Sequence, residues 1–328
     1  MREYLEDSFF IGEDDYKDRM ESEVKPWLRE YVRDGYMTTT DGKRLHFHFA
    51  VPENAKAVIV MVHGFCEFFG KYHEMCMYFY KSGYGFCFLE QRGHGFSERE
   101  VKDPDMVHVD SFEDYVQDLH EFIHRTVKGI SGDLPLFLFS HSMGGAVSAL
   151  YLEAHQEVFK GAILSSPMIK LSRRGVKERN IKLLMFMAML LRWDKKYAPG
   201  QHGFDNVYSF DTSSSTSEAR YDYIFRQRQE TKEYRTYGSD YSWSRNAFGV
   251  TKRIMNNAAE IVTPVLLLIA GKDTLVDEEA QMEFAGLLER CSVEKYPDVK
   301  HELFNGLKED RIKYYRRIFS FLEEECNE

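Results

Sequence analysis

Ser142 stands where an apolar strand pattern gives way to a run of small residues. The segment reads Leu136-Phe137-Leu138-Phe139-Ser140-His141-Ser142-Met143-Gly144-Gly145. A sharp turn from strand into helix needs small neighbours, and it pushes the serine hydroxyl out at the carboxyl end of a sheet. The pattern therefore predicts a nucleophilic serine. It departs from the usual G-x-S-x-G by having Ser140 at the first position, and the alternative is that Ser142 merely caps a helix.

A nucleophilic serine needs a base that takes its proton and an acid that orients the base. In folds with this turn, the acid and then the histidine follow the serine along the chain. Asp273 comes just after the apolar run 265–269 and is the predicted acid. Asp277 is the rival, but it precedes Glu-Glu-Ala and is better placed to cap a helix. His301, in a predicted loop near the C-terminus, is the predicted base.

The string His63-Gly64-Phe65 closes an earlier apolar run. At such a place the backbone supplies one donor of an oxyanion hole, so we predict the amides of Phe65 and Met143 as the two donors. Gly64 permits the backbone bend beside the substrate. His63 precedes the serine and is predicted to be structural. These parts predict attack on a carbonyl carbon, an acyl-enzyme and its release by water.

The elements that would position these residues follow from the hydrophobic pattern. A period-two hairpin is predicted over 36–40 and 45–49 with a turn at Asp41-Gly42. Further strands are predicted over 57–62, 84–89, 134–139, 161–164 and 265–269. Short apolar runs separated by helical stretches are typical of a mostly parallel, doubly wound α/β sheet covered on both faces.

The alternation of strands and helices stops after Pro167 and resumes at Pro264. The stretch between has a basic start, an apolar helix, a Ser-rich loop and many tyrosines. We therefore predict an N-terminal extension over 1–34, an α/β core over 35–166 and 262–328, and a mainly helical cap inserted over 167–261.

Charge excludes one class of function. Lys and Arg total 43 against 53 Asp and Glu, a net charge of −10, whereas nucleic-acid binding needs a basic face. The five cysteines are odd in number and form no C-x-x-C pair, and the twelve histidines are dispersed. Neither a disulfide framework nor a metal site is indicated, and no cofactor motif is present. These features favour a reducing, cytoplasmic setting.

No secretory signal pattern is apparent at the N-terminus, and the longest apolar run, 183–191, is far shorter than the ~20 residues that span a bilayer. Between Lys170 and Lys196 there are nine basic and two acidic residues, a local charge of +7. A helix apolar on every side is usually buried against a core. The alternative is that this helix lines an acyl-chain pocket through Leu184, Met187 and Met189 while its basic neighbours face phosphate headgroups or an anionic membrane surface.

Several of these strings together resemble one known group, the monoglyceride lipases and lysophospholipases L2 of the α/β-hydrolase family. The matching strings are His63-Gly64, Gln91-Arg92-Gly93-His94-Gly95-Phe96-Ser97, Ser140-His141-Ser142-Met143-Gly144-Gly145, Leu164-Ser165-Ser166-Pro167-Met168, Gly271-Lys272-Asp273 and His301. The resemblance implies an α/β-hydrolase fold with a cap after the strand ending at Ser165, and the same catalytic residues. The group often has Asp where this chain has Glu90.

The resemblance implies hydrolysis of an ester of a lipid-like substrate, a lysophospholipid or a monoacylglycerol. A carboxylesterase or a small-amide peptidase of the same fold is the alternative. An inactive hydrolase fold that binds lipid is the alternative outside enzymes. The Arg-Gly-His-Gly string is predicted to be structural. Neither oligomeric state nor headgroup preference follows from the sequence.

Overall fold

The computed structural model describes residues 3–172 and 175–327, and its centre is a mostly parallel sheet. In chain order the strands are β1 (Arg33–Thr38), β2 (Arg44–Ala50), β3 (Ala57–Val62), β4 (Tyr84–Leu89), β5 (Met106–Val107), β6 (Leu136–His141), β7 (Gly161–Ser165), β8 (Gly238–Ser239), β9 (Val265–Ala270) and β10 (Cys291–Tyr296). Eight of them form one sheet in the order β1-β2-β4-β3-β6-β7-β9-β10, and β5 pairs with β8 separately. In the large sheet β2 runs antiparallel to both neighbours, and the pairs from β4 to β10 are parallel.

Helices cover both faces of this sheet. They are α1 (Tyr16–Arg19), α2 (Lys25–Tyr31), α3 (His73–Lys81), α4 (Phe112–Phe122), α5 (Lys128–Ser131), α6 (Met143–Ala154), α7 (Glu178–Leu190), α8 (Glu218–Glu230), α9 (Tyr241–Asn257), α10 (Glu278–Leu287) and α11 (Lys308–Asn327). Every residue of β3, β4, β6, β7 and β9 is buried, because these strands are covered on both sides. The prediction of a doubly wound α/β fold is confirmed.

The residues predicted as an N-terminal extension pack into the core. Phe10, Ile11, Met20 and Trp27 are buried in the apolar cluster on one face of the sheet, together with α3 and α11 residues. The acidic composition of this segment concealed the packing role of its apolar side chains. Residues 3–31 are therefore part of the packed body of the molecule.

The segment between β7 and β9 holds α7, α8 and α9, so it is mainly helical as expected. The predicted cap boundary nevertheless includes α9, whose Trp243, Ala247 and Ile254 are buried in the same cluster as α4 and α6. This helix packs as a core helix, and the exact division between core and cap stays a prediction. Among the described helices, none is both long and apolar enough to cross a membrane.

A buried group of charges joins α8 to three other parts of the chain. Arg220 of α8 donates from Nε and Nη2 to the two carboxylate oxygens of Glu74 in α3 at 3.0 and 2.9 Å, and from Nη1 to Glu13 at 2.7 Å. Arg311 of α11 also contacts Glu74. Both arginines are fully buried. Burial raises the pKa of Glu74, but the two guanidinium groups outweigh it and hold that pKa below its usual value.

Replacing this carboxylate should be costly. We expect Glu74→Gln to lower the free energy of unfolding in urea by about 3–5 kcal/mol, because it removes the carboxylate that two buried guanidinium groups share and leaves Arg220 with Glu13 alone. The matched control is Glu21→Gln, whose ion pair with Lys25 is exposed and should contribute about 0–1 kcal/mol. Because the pKa of Glu74 is lowered in the folded state, its contribution is complete above the normal value of 4.5 and is lost as the pH falls through the folded pKa. Equal losses in the two variants would contradict this interpretation.

Candidate active site

Ser142 occupies a strained turn between β6 and α6. Its backbone has φ 52° and ψ −117°, a region that residues other than glycine rarely adopt. Backbone hydrogen bonds hold the turn on both sides: Ser142 N donates to Ser165 O at 3.1 Å, and Ser142 O accepts from Gly145 N and Met168 N, each at 2.8 Å. The β6 strand runs two residues beyond its predicted end, so the turn begins directly after His141.

Two glycines allow α6 to approach the sheet closely enough for this turn. A Cβ on Gly144 would lie 2.2 Å from the carbonyl oxygen of Val62 at the end of β3, and a Cβ on Gly145 would lie 2.4 Å from Cβ of Pro167. Neither contact can be relieved by a flexible side chain. The small residues after Ser142 are thus required by the close packing of helix against strand ends.

The structure brings the three predicted catalytic residues into one hydrogen-bonded chain. Ser142 Oγ lies 2.8 Å from His301 Nε2, and His301 Nδ1 lies 2.6 Å from Asp273 Oδ2. Asp273 Oδ1 accepts from the backbone N–H of Leu275 at 2.8 Å and of Val276 at 3.2 Å. This arrangement can move a proton from a serine hydroxyl to an imidazole whose orientation is fixed.

The environment of Asp273 favours its ionised form. Burial raises the pKa of this carboxyl, but the charge and hydrogen bond of His301 and the two backbone donors outweigh it, so the pKa lies below its usual value. The rival acid Asp277 is engaged elsewhere, since its side chain accepts from Ala280 N at 3.0 Å as the N-cap of α10 and pairs with Lys170 at 2.8 Å. The geometry therefore favours Asp273 over Asp277 as the acid that orients His301.

The residues predicted as oxyanion donors lie next to Ser142 in the chain and on the cavity wall. Met143 is the first residue of α6, and Phe65 lies on the wall of the cavity at Ser142. Within the described part of the chain, neither backbone N–H donates to a protein acceptor. His63 is held structurally, with Nδ1 donating to Gly64 O at 2.7 Å and Nε2 accepting from Gln91 N at 2.9 Å.

A cavity of about 300 Å³ opens at Ser142 and His301. Much of its wall comes from aromatic and aliphatic side chains of the segment between β7 and β9, including Phe204, Val207, Tyr221, Ile224, Phe225 and Tyr237. The tyrosine content of this segment was visible in the sequence, but no pattern indicated which of these rings would face the serine. The cavity can hold an apolar group beside the reactive hydroxyl.

The residues predicted to bind substrate do not line this cavity. Leu184, Met187 and Met189 are 38%, 44% and 45% exposed, and Met189 borders a different cavity between α7 and α9. Gly64 is close behind the wall, where a Cβ would lie 2.8 Å from the Glu67 carboxylate, but it is not part of the wall. Of the two alternatives for α7, burial against the core does not agree with the structure, since Ala188 is its one residue described as buried.

A network of buried charges supports the cavity floor, and no pattern in the sequence indicates it. Glu67 accepts from Gly64 N, from Tyr72 OH and from His141 Nδ1, and Lys71 Nζ donates to Glu67 at 2.7 Å and to Glu302 at 2.8 Å. Burial raises the pKa of Glu67, but Lys71 and His141 outweigh this effect and hold the pKa well below its usual value. The carboxylate is therefore ionised. Glu67 thus links the backbone at Gly64 to His141, the residue before Ser142. Through Lys71 it is also linked to Glu302, the residue after His301.

A second cluster, outside this cavity, combines His46, His48 and Glu90, whose ligand atoms lie within 4.8 Å of one another. Both ring nitrogens of His46 are already bonded, to Glu90 and Asp34 at 3.0 Å each, and the Glu90 carboxylate also accepts two backbone N–H groups. Burial lowers the pKa of His48 to about 4. His46 and Glu90 therefore form a hydrogen-bonded support for the loop after β4, whereas His48 Nε2 is buried without a hydrogen-bond partner among the described residues.

The fold and the site together define an α/β-hydrolase with a serine at the strand-to-helix turn. Residues 53–308 match the family model described as serine aminopeptidase, S33, and the chain belongs to that family. The predicted resemblance to the α/β-hydrolase group of monoglyceride lipases and lysophospholipases L2 is confirmed, as is the prediction that the chain is a hydrolase.

Individual relatives and one solved structure are similar to this chain over most of its length. The chain is 23% identical over 303 residues to a probable lysophospholipase L2 of Haemophilus influenzae, a match that covers 92% of this chain and 95% of the relative. It is 29% identical over 238 residues to lysophospholipase L2 of Escherichia coli, covering 70% and 67%. A soluble variant of monoglyceride lipase from Saccharomyces cerevisiae has a similar fold, with a TM-score of 0.69 at 18% identity and coverage of 89% and 94%.

Proposed function

We propose that this protein hydrolyses the carboxylic ester of a lipid-like substrate, a lysophospholipid or a monoacylglycerol, through an acyl-enzyme. The observation that carries the proposal is the hydrogen-bonded chain Ser142–His301–Asp273 at a cavity whose wall includes several aromatic and aliphatic side chains. The names of the relatives, lysophospholipase L2 and monoglyceride lipase, support the same substrate class.

In the proposed mechanism, His301 Nε2 accepts the Ser142 proton as the hydroxyl oxygen attacks the ester carbonyl. Asp273 keeps the proton on His301 Nδ1 and stabilises the imidazolium that forms. The amides of Phe65 and Met143 donate to the oxyanion, each contributing ~10²-fold or more to the rate. His301 then protonates the leaving alcohol, and a water molecule, deprotonated by the same histidine, releases the fatty acid.

The family description names an aminopeptidase, so amide hydrolysis is the competing reaction. A site that selects a free α-amino group needs an available carboxylate. Two carboxylates, Glu67 and Glu302, line the cavity in the described residues, and Lys71 is bonded to both. An ester with an apolar acyl chain suits this wall better than a charged peptide N-terminus.

The direct test is hydrolysis of p-nitrophenyl butyrate, of a monoacylglycerol and of an aminoacyl p-nitroanilide by the purified protein, together with labelling by a fluorophosphonate. We expect one label per chain and turnover of the two esters with little of the anilide. Preferential cleavage of the anilide would favour the peptidase. Labelling without any turnover would favour a lipid-binding protein that retains the hydrolase fold.

We also propose that α7 rests on an anionic membrane surface. Leu183, Phe186 and Leu190 are 61%, 52% and 60% exposed, an unusual concentration of apolar surface for one helix. The basic residues Lys177, Arg179 and Lys182 lie in or next to the same helix, and the predicted contributors Arg173 and Arg174 lie outside the described residues. Apolar insertion and attraction to anionic lipid together favour such a contact.

Replacing two of these apolar side chains should weaken membrane contact. We expect Leu183→Asp/Phe186→Asp to lower binding to phosphatidylglycerol-containing vesicles at least about tenfold, because each side chain that enters the interface contributes on the order of 1 kcal/mol or more. Vesicle sedimentation measures the effect. The matched control is Val262→Asp, which changes an apolar residue that is 45% exposed but lies outside α7. Equal binding by all three proteins would contradict the proposal.

We further propose a cytoplasmic location. All five cysteines are free in the structure, three of them buried, which suits a reducing compartment.

A further inference from the structure

Arg228 brings a positive charge to the wall of the cavity that holds Ser142. It lies near the end of α8, and its Nη2 donates to the carbonyl oxygen of Cys66 at 2.6 Å. Cys66 directly follows Phe65, the residue proposed to donate one N–H to the oxyanion. The guanidinium therefore lies on the wall of the same cavity in which the substrate carbonyl would be attacked.

Among the described residues, this guanidinium has no carboxylate partner. No carboxylate oxygen of the described residues lies within 4.0 Å of it, and its Nε is buried without an acceptor there. The rings of Phe68 and Tyr237 lie 5.5 and 5.3 Å from its central carbon and provide cation–π contacts. Aromatic rings stabilise a cation but leave its hydrogen-bond donors unused.

The other basic residues of α8 and of this cavity wall are paired with carboxylates. Lys71, the other lysine or arginine on the described wall of this cavity, contacts two carboxylates, and Arg220 on the same helix contacts Glu74 and Glu13. Arg226, two residues before Arg228, points elsewhere and pairs with Asp222 at 2.6 Å. A half-buried arginine without a carboxylate partner among the described residues, in a cavity whose two carboxylates are both bonded to Lys71, is the arrangement expected of an anion-binding group.

We propose that Arg228 binds the phosphodiester of a lysophospholipid headgroup and thereby selects an anionic substrate over an uncharged monoacylglycerol. This inference rests on the proposed ester hydrolysis. In a lysophospholipid the phosphate and the acyl ester are attached to the same three-carbon glycerol unit, so both must lie close together. Arg228 is bonded to the carbonyl of Cys66, the residue that follows the proposed oxyanion donor Phe65, which suits that requirement. The planar guanidinium also suits a phosphate better than a point charge would.

The test compares kcat/KM for a lysophosphatidylglycerol and a monoacylglycerol with the same acyl chain, both in neutral mixed micelles. We expect Arg228→Met to lower the ratio of the two values about 10- to 100-fold, because a charge-assisted hydrogen bond to phosphate is lost. Arg228→Lys should recover part of the ratio. The matched control Arg226→Met, which removes a charge from the same helix outside the cavity, should leave the ratio unchanged.

A purely structural role for Arg228 gives a different result. If the side chain merely supports the Cys66 carbonyl, Arg228→Met lowers kcat/KM for both substrates equally and the ratio is constant, which would overturn the inference. A second readout uses a water-soluble ester. Glycerol 3-phosphate should inhibit p-nitrophenyl butyrate hydrolysis by wild type more strongly than glycerol does, and Arg228→Met should remove that difference.

Different experimental outcomes would contradict the proposed function and the proposed role of Arg228. If wild type does not hydrolyse p-nitrophenyl butyrate or either lipid, the proposed function itself is wrong. If it hydrolyses all three but shows neither the altered ratio nor the difference between the two inhibitors, the ester hydrolase stands and the role of Arg228 is refuted.

Discussion

Ser142→Ala should lower kcat for an ester by about 10⁴- to 10⁶-fold, the loss expected when the nucleophile of a serine hydrolase is removed. The reason is geometric: Ser142 Oγ lies 2.8 Å from His301 Nε2, and an alanine leaves the imidazole with no hydroxyl to deprotonate. Steady-state turnover of p-nitrophenyl butyrate measures the effect. Fluorophosphonate labelling should disappear in the same variant.

The matched control for this experiment is Ser140→Ala. Ser140 lies two residues earlier in β6, is fully buried, and its hydroxyl has no hydrogen-bond partner among the described residues. Its replacement should leave turnover within about twofold, since a buried hydroxyl without a partner contributes little. If labelling persists in Ser142→Ala, the nucleophile is another residue and the proposed mechanism is wrong.

Asp273→Asn should lower kcat about 10⁴-fold, although the two side chains have the same shape. Oδ1 of Asp273 accepts from the backbone N–H groups of Leu275 and Val276, so an asparagine would keep its carbonyl oxygen on that side. Its NH₂ group would then face His301 Nδ1 and donate to it. The imidazole would carry its proton on Nε2 and could not accept one from Ser142. Stopped-flow or steady-state hydrolysis above pH 7 measures this loss.

Asp277→Asn provides the comparison that the sequence alone left open. Asparagine is a good N-cap, so the hydrogen bond to Ala280 N should survive and turnover should stay within about twofold. A large loss in Asp277→Asn with little loss in Asp273→Asn would reverse the assignment of the acid.

The three residues of the hydrogen-bonded chain could be predicted because each belongs to a local pattern. Ser142 follows a buried strand directly, Asp273 comes three residues after β9, and His301 lies in the loop after β10. In a parallel sheet the carboxyl ends of neighbouring strands meet at one edge, so strand order along the chain brings these positions together. Because each residue follows the end of a strand of the same sheet, its position in the sequence predicts that it lies close to the other two.

The supporting charges could not be predicted in this way. Glu67 and Lys71 precede α3, while Glu302 follows the histidine and Arg228 belongs to α8. No local pattern relates a residue in the segment between β7 and β9 to one after β3. The environment of α7 was left between two alternatives for a related reason: an apolar sequence indicates that a surface avoids water, but not whether protein or lipid covers it.

Arg220 gives the segment between β7 and β9 a particular dependence on the rest of the chain. Its guanidinium joins α8 to Glu13 near the N-terminus and to Glu74 in α3, and Glu74 in turn contacts Arg311 in the last helix. A cap grafted from another hydrolase without an arginine at this place would leave Glu13 without this ion pair and Arg311 as the sole cation on Glu74. The cap is therefore not an interchangeable module, and engineering of substrate range by cap exchange would have to transfer these four positions together.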